Sequence, residues 1–224
     1  MINKTLLLTA GPTYEPIDPV RFIGNRSSGK QGIAVAKVFA EEGFKVYLVV
    51  GPVNEYLLKD LPDSVEVIRV QTAREMLEAS LQHINVDIAI HTAAVSDYRP
   101  ETIFDHKIKK GSGITLNDVK FVENPDILAT FSKHPNRPKL VIGFAAETNN
   151  LIENAKAKLD KKGCDYIIAN DVSNGKGFGK DVNKLYIVSK NNIVETEETD
   201  KYLTVKKLLE VLKNDKVFQS INNS

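Results

Sequence analysis

Hydrophobic positions along this chain come in short runs separated by segments of helical spacing. Lys4–Thr9 is a compact apolar strand that ends in Ala10-Gly11-Pro12-Thr13. Gly29 to Glu42 carries Ile33, Val35, Ala36, Val38, Phe39 and Ala40 on one side of a helix, with Gly43 as its stop. Lys45–Val50 and Val65–Val70 are the next strands, and Thr72 with Glu75 three residues on is a capping box for a helix to about Ile84. Val86–His91, Leu140–Phe144 and Tyr166–Ala169 repeat the strand pattern, and Asn149–Lys162 repeats the helical one. Thr199 to about Phe218 is predicted as one amphipathic helix. Strands alternating with helices at this spacing predict βαβ units and a mostly parallel α/β sheet, Rossmann-like and doubly wound, with helices on both faces.

Two stretches break the alternation. Arg99–Val119 is long and polar, with strand-like pieces around Ile114 and Val119, and Asn174–Asn183 is similarly loose. Pro16 to Ile23 holds two prolines and makes a poor central strand, which counts against a Walker loop behind it. A small strand extension to the sheet is also expected. Long irregular segments in a compact fold are commonly functional. With no repeat and no convincing linker, residues 1–224 are expected to form a single domain.

Composition narrows the classes. A net charge of +1 favours neither nucleic acid nor an anionic membrane. No apolar run reaches the roughly 20 residues of a membrane span, and the start has no signal-peptide layout, so a cytoplasmic protein is expected. The single cysteine, Cys164, cannot form an internal disulfide and reads as a buried filler. No His/Cys/Asp/Glu group has metal-ligand spacing, so no protein-held metal is expected.

Open parallel sheets bind ligands beyond the carboxyl ends of their strands. The segments there are 10–29, 51–54, 92–110, 144–149 and 169–183. Gly24-Asn-Arg-Ser-Ser-Gly-Lys30 nearly matches a phosphate loop, but Gln31 stands where that motif needs Ser or Thr for magnesium. Ser27, Ser28 and Gly29 still lie where a helix begins, which suits an anion; a plain serine cap is the alternative. Gly11 follows the first strand, yet no Gly-x-Gly-x-x-Gly appears, which weakens a nicotinamide reductase. Tyr186 and Lys190 have dehydrogenase spacing, but their segment reads as a strand rather than the helix that pair requires. Lys107-Ile-Lys-Lys110 is a basic run beyond a strand end, and Lys158 and Lys162 share a helical face; each alone reads as a solvated face. His91 ends an apolar strand and reads as packed.

Taken together, these strings resemble one family: phosphopantothenoylcysteine synthetase. They are Thr9-Ala-Gly-Pro-Thr13, Glu15 to Ile23, Asn25 with Ser27-Ser-Gly-Lys30, and Ala93-Ala-Val-Ser-Asp97-Tyr98. Further on come Lys107-Ile-Lys-Lys110, Asn124-Pro-Asp-Ile127, Gly143-Phe-Ala-Ala-Glu-Thr148 and Ala169-Asn-Asp-Val172. They run in family order from residue 9 to about 183.

The resemblance implies a ligase that joins 4'-phosphopantothenate and L-cysteine through an acyl-nucleotidylate. CTP is the expected co-substrate, with ATP the alternative, and Mg2+ accompanies the triphosphate. Carried over by motif, Lys107 assists the first step, Asn25 holds the acyl-nucleotidylate, and Arg21 and Ala94 shape the second step. Ala93 and Asp97 frame base and sugar, and Pro125, Asp126, Ile127, Leu128, Phe144, Lys158 and Lys162 match nucleotide-contacting positions. Gly11, Ser27, Ser28 and Gly29 are the candidate phosphate site. The chain departs from many bacterial relatives in having Gly24 and Arg26 beside the asparagine, and it carries no flavin-dependent decarboxylase segment. No flavin is therefore expected. Family members commonly form homodimers, and the 99–119 segment could supply an exchanged hairpin.

Overall fold

The computed structural model describes residues 4–109, 115–173 and 182–222. Its centre is an eight-stranded sheet built from Thr5–Ala10 (β1), Lys45–Val50 (β2), Val65–Arg69 (β3), Ile88–His91 (β4), Leu140–Glu147 (β5), Tyr166–Asp171 (β6), Tyr186–Ser189 (β7) and Ile193–Glu195 (β8). The strand order is β8-β7-β6-β5-β4-β1-β2-β3. β1 to β6 run parallel, and β7 and β8 are antiparallel additions at one edge. The chain builds outward from β1 to β3, then returns to the other side of β1 with β4. This places the switch point between β1 and β4, where Thr9 pairs with His91.

Six helices cover the sheet: Lys30–Glu41 (α1), Ala73–Leu81 (α2), Ile127–Lys133 (α3), Leu151–Lys162 (α4), Lys201–Lys213 (α5) and Lys216–Asn222 (α6). Alternation along β1 sorts them. Leu6, Leu8 and Ala10 pack with Phe39 of α1, Leu208 of α5 and Phe218 of α6. Leu7 faces the opposite side with Met76 of α2, Phe131 of α3 and Leu159 of α4. Both faces of the strands are apolar because both are covered.

The expected α/β class, the parallel core and the two-faced helix packing are all present. So is the capping box, in which Thr72 Oγ1 accepts from Glu75 N at 3.2 Å and Glu75 Oε2 accepts from Thr72 N at 3.2 Å. Three local expectations change. The C-terminal helix is two helices, because the Asp215 carboxylate accepts from Val217 N at 2.7 Å and Phe218 N at 3.2 Å and so starts a new one. Asp126 likewise starts the short α3, which apolar periodicity did not announce, by accepting from Ala129 N at 3.0 Å. β5 runs on to Glu147, beyond its apolar stretch.

The proline-bearing segment forms a small antiparallel pair, Tyr14–Pro16 with Phe22–Gly24, outside the main sheet. A second pair, Tyr98–Pro100 with Phe121–Glu123, flanks it. Ile17, Ile108 and Val119 make a separate small core beneath them, with Ile23 and Phe104 packed on it. Of the strand-like pieces expected in 99–119, Ile114 lies outside the described residues, as do Lys110 and 174–181.

Candidate active site

A cavity of about 870 Å³ opens at the carboxyl ends of β1, β4, β5 and β6. Its size suits a nucleotide together with a second small molecule. One wall is the turn into α1. Gly29 caps that helix with φ 76°, and no side chain caps it, so the positive end of the helix meets the cavity. Ser27 Oγ accepts from Gly29 N at 3.3 Å instead of closing the helix. The plain serine cap is therefore not what these residues make. Gly11, also at φ 76°, does not line the cavity but packs behind Gly29.

The opposite wall comes from α3, α4 and the end of β5. Lys162 pairs with the Asp126 carboxylate, and Lys158 Nζ donates to the Phe144 carbonyl at 3.0 Å. Burial lowers the pKa of Lys158, and its neighbour Lys162 lowers it further, against the pull of Glu147 and Asp126. These two lysines, spaced one turn apart, line the cavity instead of forming a solvated face. Ala93, Ala94 and Asp97 come from the segment after β4, and Asn25 spans the gap by donating Nδ2 to the Val95 carbonyl at 2.9 Å. Pro125, Asp126, Ile127, Leu128 and Phe144 complete the lining on the α3 side.

Three carried-over residues lie elsewhere in this chain. Gly11 supports the wall from behind, Arg21 is bound to Asp18 and Ile108, and Lys107 is exposed beside Ile108 on the segment 101–109, a strap that lies over the small core. Sequence reasoning also passed over lining residues. Gln31, Asn170, Asn183 and Lys201 form a polar end on the α1 side, with Asn183 Nδ2 donating to Gln31 Oε1 at 3.1 Å. They come from four separate segments, so no spacing could have linked them.

Charge in the cavity departs from that of the whole chain. Arg26, Lys30, Lys158, Lys161, Lys162 and Lys201 line it against Asp97, Glu123 and Asp126, six cations to three carboxylates. A concave, partly desolvated surface with that excess concentrates a polyanion. No group of three metal-binding His, Cys, Asp or Glu side chains occurs among the described residues. Among the described residues no helix is long and apolar enough to cross a membrane.

His91 forms part of the cavity floor. It is 7% exposed, meets Phe131 edge-on at 4.9 Å between ring centroids, and its Nε2 has no partner. Burial pushes its imidazole down to about 4, while Asp126 pulls weakly the other way. An unfolded His91 would take up its proton near its ordinary pH of 6.5, the folded one near 4. Acidification across that window therefore costs native stability, on the order of 3 kcal/mol, and above it nothing is lost. Urea unfolding of His91→Leu is expected to show a flatter pH slope between 6.5 and 4 than the parent; equal slopes would refute this assignment. Cys164, by contrast, is buried away from the chemistry and its thiol is pushed up to about 11 by burial, which suits a filler.

Comparison with known proteins gives a consistent result. The family model described as DNA/pantothenate metabolism flavoprotein C-terminal domain matches residues 1–215. The Coenzyme A biosynthesis bifunctional protein CoaBC of Borreliella burgdorferi is 41% identical over 212 residues, 94% of this chain and 52% of that protein. CoaBC of Vibrio parahaemolyticus is 46% identical over 185 residues, 82% of this chain and 45% of the relative. The chain thus spans about half the length of the curated relatives it matches. The crystal structure of the C-terminal domain of CoaBC aligns with a TM-score of 0.77 at 35% identity, covering 99% of this chain and 97% of that one. A Cab2 variant in complex with phosphopantothenate-cysteine shares the fold, with a TM-score of 0.72 at 18% identity. The family resemblance read from the motifs is borne out: this chain belongs to the DNA/pantothenate metabolism flavoprotein C-terminal domain family.

Proposed function

We propose that this chain is a ligase that joins 4'-phosphopantothenate to L-cysteine, with a nucleoside triphosphate as the activating co-substrate. The observation that carries the reading is the cation-rich cavity at the switch point, which gathers Asn25, Ala93, Ala94, Asp97, Asp126, Phe144, Lys158 and Lys162 from separate strings. The substrate carboxylate attacks the α-phosphorus, and the bond to the β-phosphate bridging oxygen breaks to release pyrophosphate. The cysteine amine then attacks the acyl carbon. The C–N bond forms, the C–O bond to the nucleotide breaks, and the monophosphate departs as the amine sheds its proton.

The residues have distinct parts in this scheme. The α3–α4 wall, with Lys158 and Lys162, holds the nucleotide, and Ala93 and Asp97 border its sugar and base. The open start of α1 at Ser27, Ser28 and Gly29 takes phosphate charge. Asn25 is fixed by one N–H of its amide to the Val95 carbonyl, and the second Nδ2–H is the donor that would hold the oxygens of the mixed anhydride. Ala94 and Arg21 are assigned to the second step. Lys107 supplies positive charge where pyrophosphate charge develops. CTP is the expected triphosphate, entering with Mg2+ as its counter-ion, and the expected compartment is the cytoplasm.

Lys107 lies off the cavity wall in this chain, which favours a homodimer in which each strap serves the neighbouring site. The surface around it supports that assembly. Val20, Phe22, Tyr98, Ile103, Leu116 and Phe121, all on or between the two small strand pairs, are each about half exposed or more. A nicotinamide reductase finds no support here, since Tyr186 sits on a strand and the β1–α1 connection lacks the glycine fingerprint. The test is pyrophosphate release with 4'-phosphopantothenate and cysteine, using CTP and ATP in turn. Faster release with CTP is expected; silence with both nucleotides would end this reading.

A further inference from the structure

The small core under the two strand pairs contains a charged group that the chemistry above does not use. Asp18 sits in the turn between Tyr14–Pro16 and Phe22–Gly24, where Ile17 N and Asp18 N donate to the Arg21 carbonyl at 2.8 and 3.3 Å. Pro19 fixes the backbone after it, and Asp18 Oδ1 accepts from Val20 N at 2.8 Å and Arg21 N at 2.9 Å. That is an ordinary use of an aspartate in a turn. The other oxygen is not spent locally. Oδ2 accepts from Ile108 N at 3.2 Å and from Arg21 Nη1 at 3.1 Å, and its side chain is fully shielded from solvent.

Arg21 closes the arrangement. Its Nη2 donates to the Ile108 carbonyl at 2.9 Å, so residue 108 is gripped on both sides, its N–H by the carboxylate and its C=O by the guanidinium, and the two successive peptides that flank it are both fixed. The Ile108 side chain is buried against Ile17 and Val119 on the same core. Phe104 N donates to the Ile17 carbonyl at 2.9 Å and fixes the strap upstream. Three hydrogen bonds thus fall within five residues, 104 to 108, and the residue just before the gripped Ile108 is Lys107. Burial on its own raises the Asp18 pKa, but hydrogen bonds from Val20, Ile108 and Arg21 and the Arg21 charge outweigh it and hold the carboxyl below its usual range.

We infer that Asp18, locked by Arg21, is a positioning residue whose grip on the Ile108 backbone sets where the Lys107 ammonium is presented. The inference rests on the reading of Lys107 as the cation of the first step. Asp18 touches neither cavity nor ligand and acts through the strap. In Asp18→Asn one of the two oxygens becomes an NH2 that faces N–H donors and the charge is lost, so the side chain can no longer hold all four donors, Val20 N, Arg21 N, Ile108 N and Arg21 Nη1.

Two readouts test this. The first needs no activity: trypsin cleavage after Lys107 and Lys109, mapped by mass, reports local opening of the strap. Asp18→Asn is expected to speed those cuts about tenfold while other sites cleave as in the parent. Arg21→Lys, which keeps the charge but loses the fork to Ile108, is expected to speed them less, and it serves if Asp18→Asn does not fold. The second is a double-mutant cycle on pyrophosphate release in the first half-reaction. Asp18→Asn is expected to slow release about tenfold or more in the parent background and to add nothing in Lys107→Gln. Unchanged cleavage in both variants, or a full additional loss in the double variant, would overturn the inference. If Lys107→Gln alone leaves pyrophosphate release intact, the role given to Lys107 fails, and the cleavage rates still decide whether the grip exists.

Discussion

Lys107→Gln is expected to cut pyrophosphate release by about 10²–10³-fold, the size seen when one preorganised charge is withdrawn from a developing anion. The physical ground is that Lys158 and Lys162 already line the cavity wall, where the proposed reaction would hold the resting triphosphate. A further cation carried on a separate strap is best placed to meet charge that appears only as the α–β phosphate bond breaks. Such a group lowers the barrier without tightening the ground state. The loss should therefore fall on kcat, with nucleotide KM shifted by no more than a few-fold. An equal rise in KM at unchanged kcat would move Lys107 into the nucleotide-binding wall.

The second large effect is on the frame that carries the site. Gly32 is in the first turn of α1, where that helix crosses closest to the sheet. A Cβ there would stand 2.4 Å from the Ala10 Cβ, which moves only with its backbone, and 2.5 Å from Thr92 Oγ1, which is held by a 2.7 Å hydrogen bond to the Thr9 carbonyl. Gly32→Ala must lift α1 off β1 and β4, at a cost of about 1–3 kcal/mol of overpacking. For a chain of this length that lowers the melting temperature by roughly 2–12 °C. The same lift displaces Ser27, Ser28 and Gly29 from the cavity, so activity should fall even at temperatures where the variant is fully folded. Parent-like melting and activity together would mean the close approach does not hold the site.

Much of this architecture is legible in residue order. Period-two and period-3.6 patterns locate the parallel strands and most of the helices, because both are dictated by which side of a chain must be dry. Thr72 and Glu75 announce their own helix start, since both partners of that capping box lie within one turn. The break at Asp215 is harder to see. Apolar positions continue from Leu212 to Phe218, and the new cap competes with them by side-chain hydrogen bonds that hydrophobicity does not record.

The site divides along the same line. Asn25, Ala93 and Asp97 reach the cavity on segments that follow a strand, Asp126 caps α3 there, and Phe144 lies in the second half of β5, which ends at its edge. The polar end made by Gln31, Asn170, Asn183 and Lys201 joins four segments far apart in sequence. Arg21 shows the limit most plainly. Its place in a family motif suggests contact with the reacting groups, yet within one chain its fork is spent on Asp18 and on a carbonyl 87 positions away. A motif marks which residues matter together; it does not say which of them touch the substrate.

The central claim is that the carboxylate of 4'-phosphopantothenate is activated as an acyl-nucleotidylate. The most direct measurement supplies that substrate with 18O in both carboxylate oxygens and analyses the products by mass after cysteine and nucleotide are consumed. The account predicts one 18O in the nucleoside monophosphate and none in pyrophosphate, since the attacking oxygen stays on the α-phosphorus when the acyl C–O bond breaks. Label in inorganic phosphate with release of a nucleoside diphosphate, or amide product with no transferred label, would contradict it.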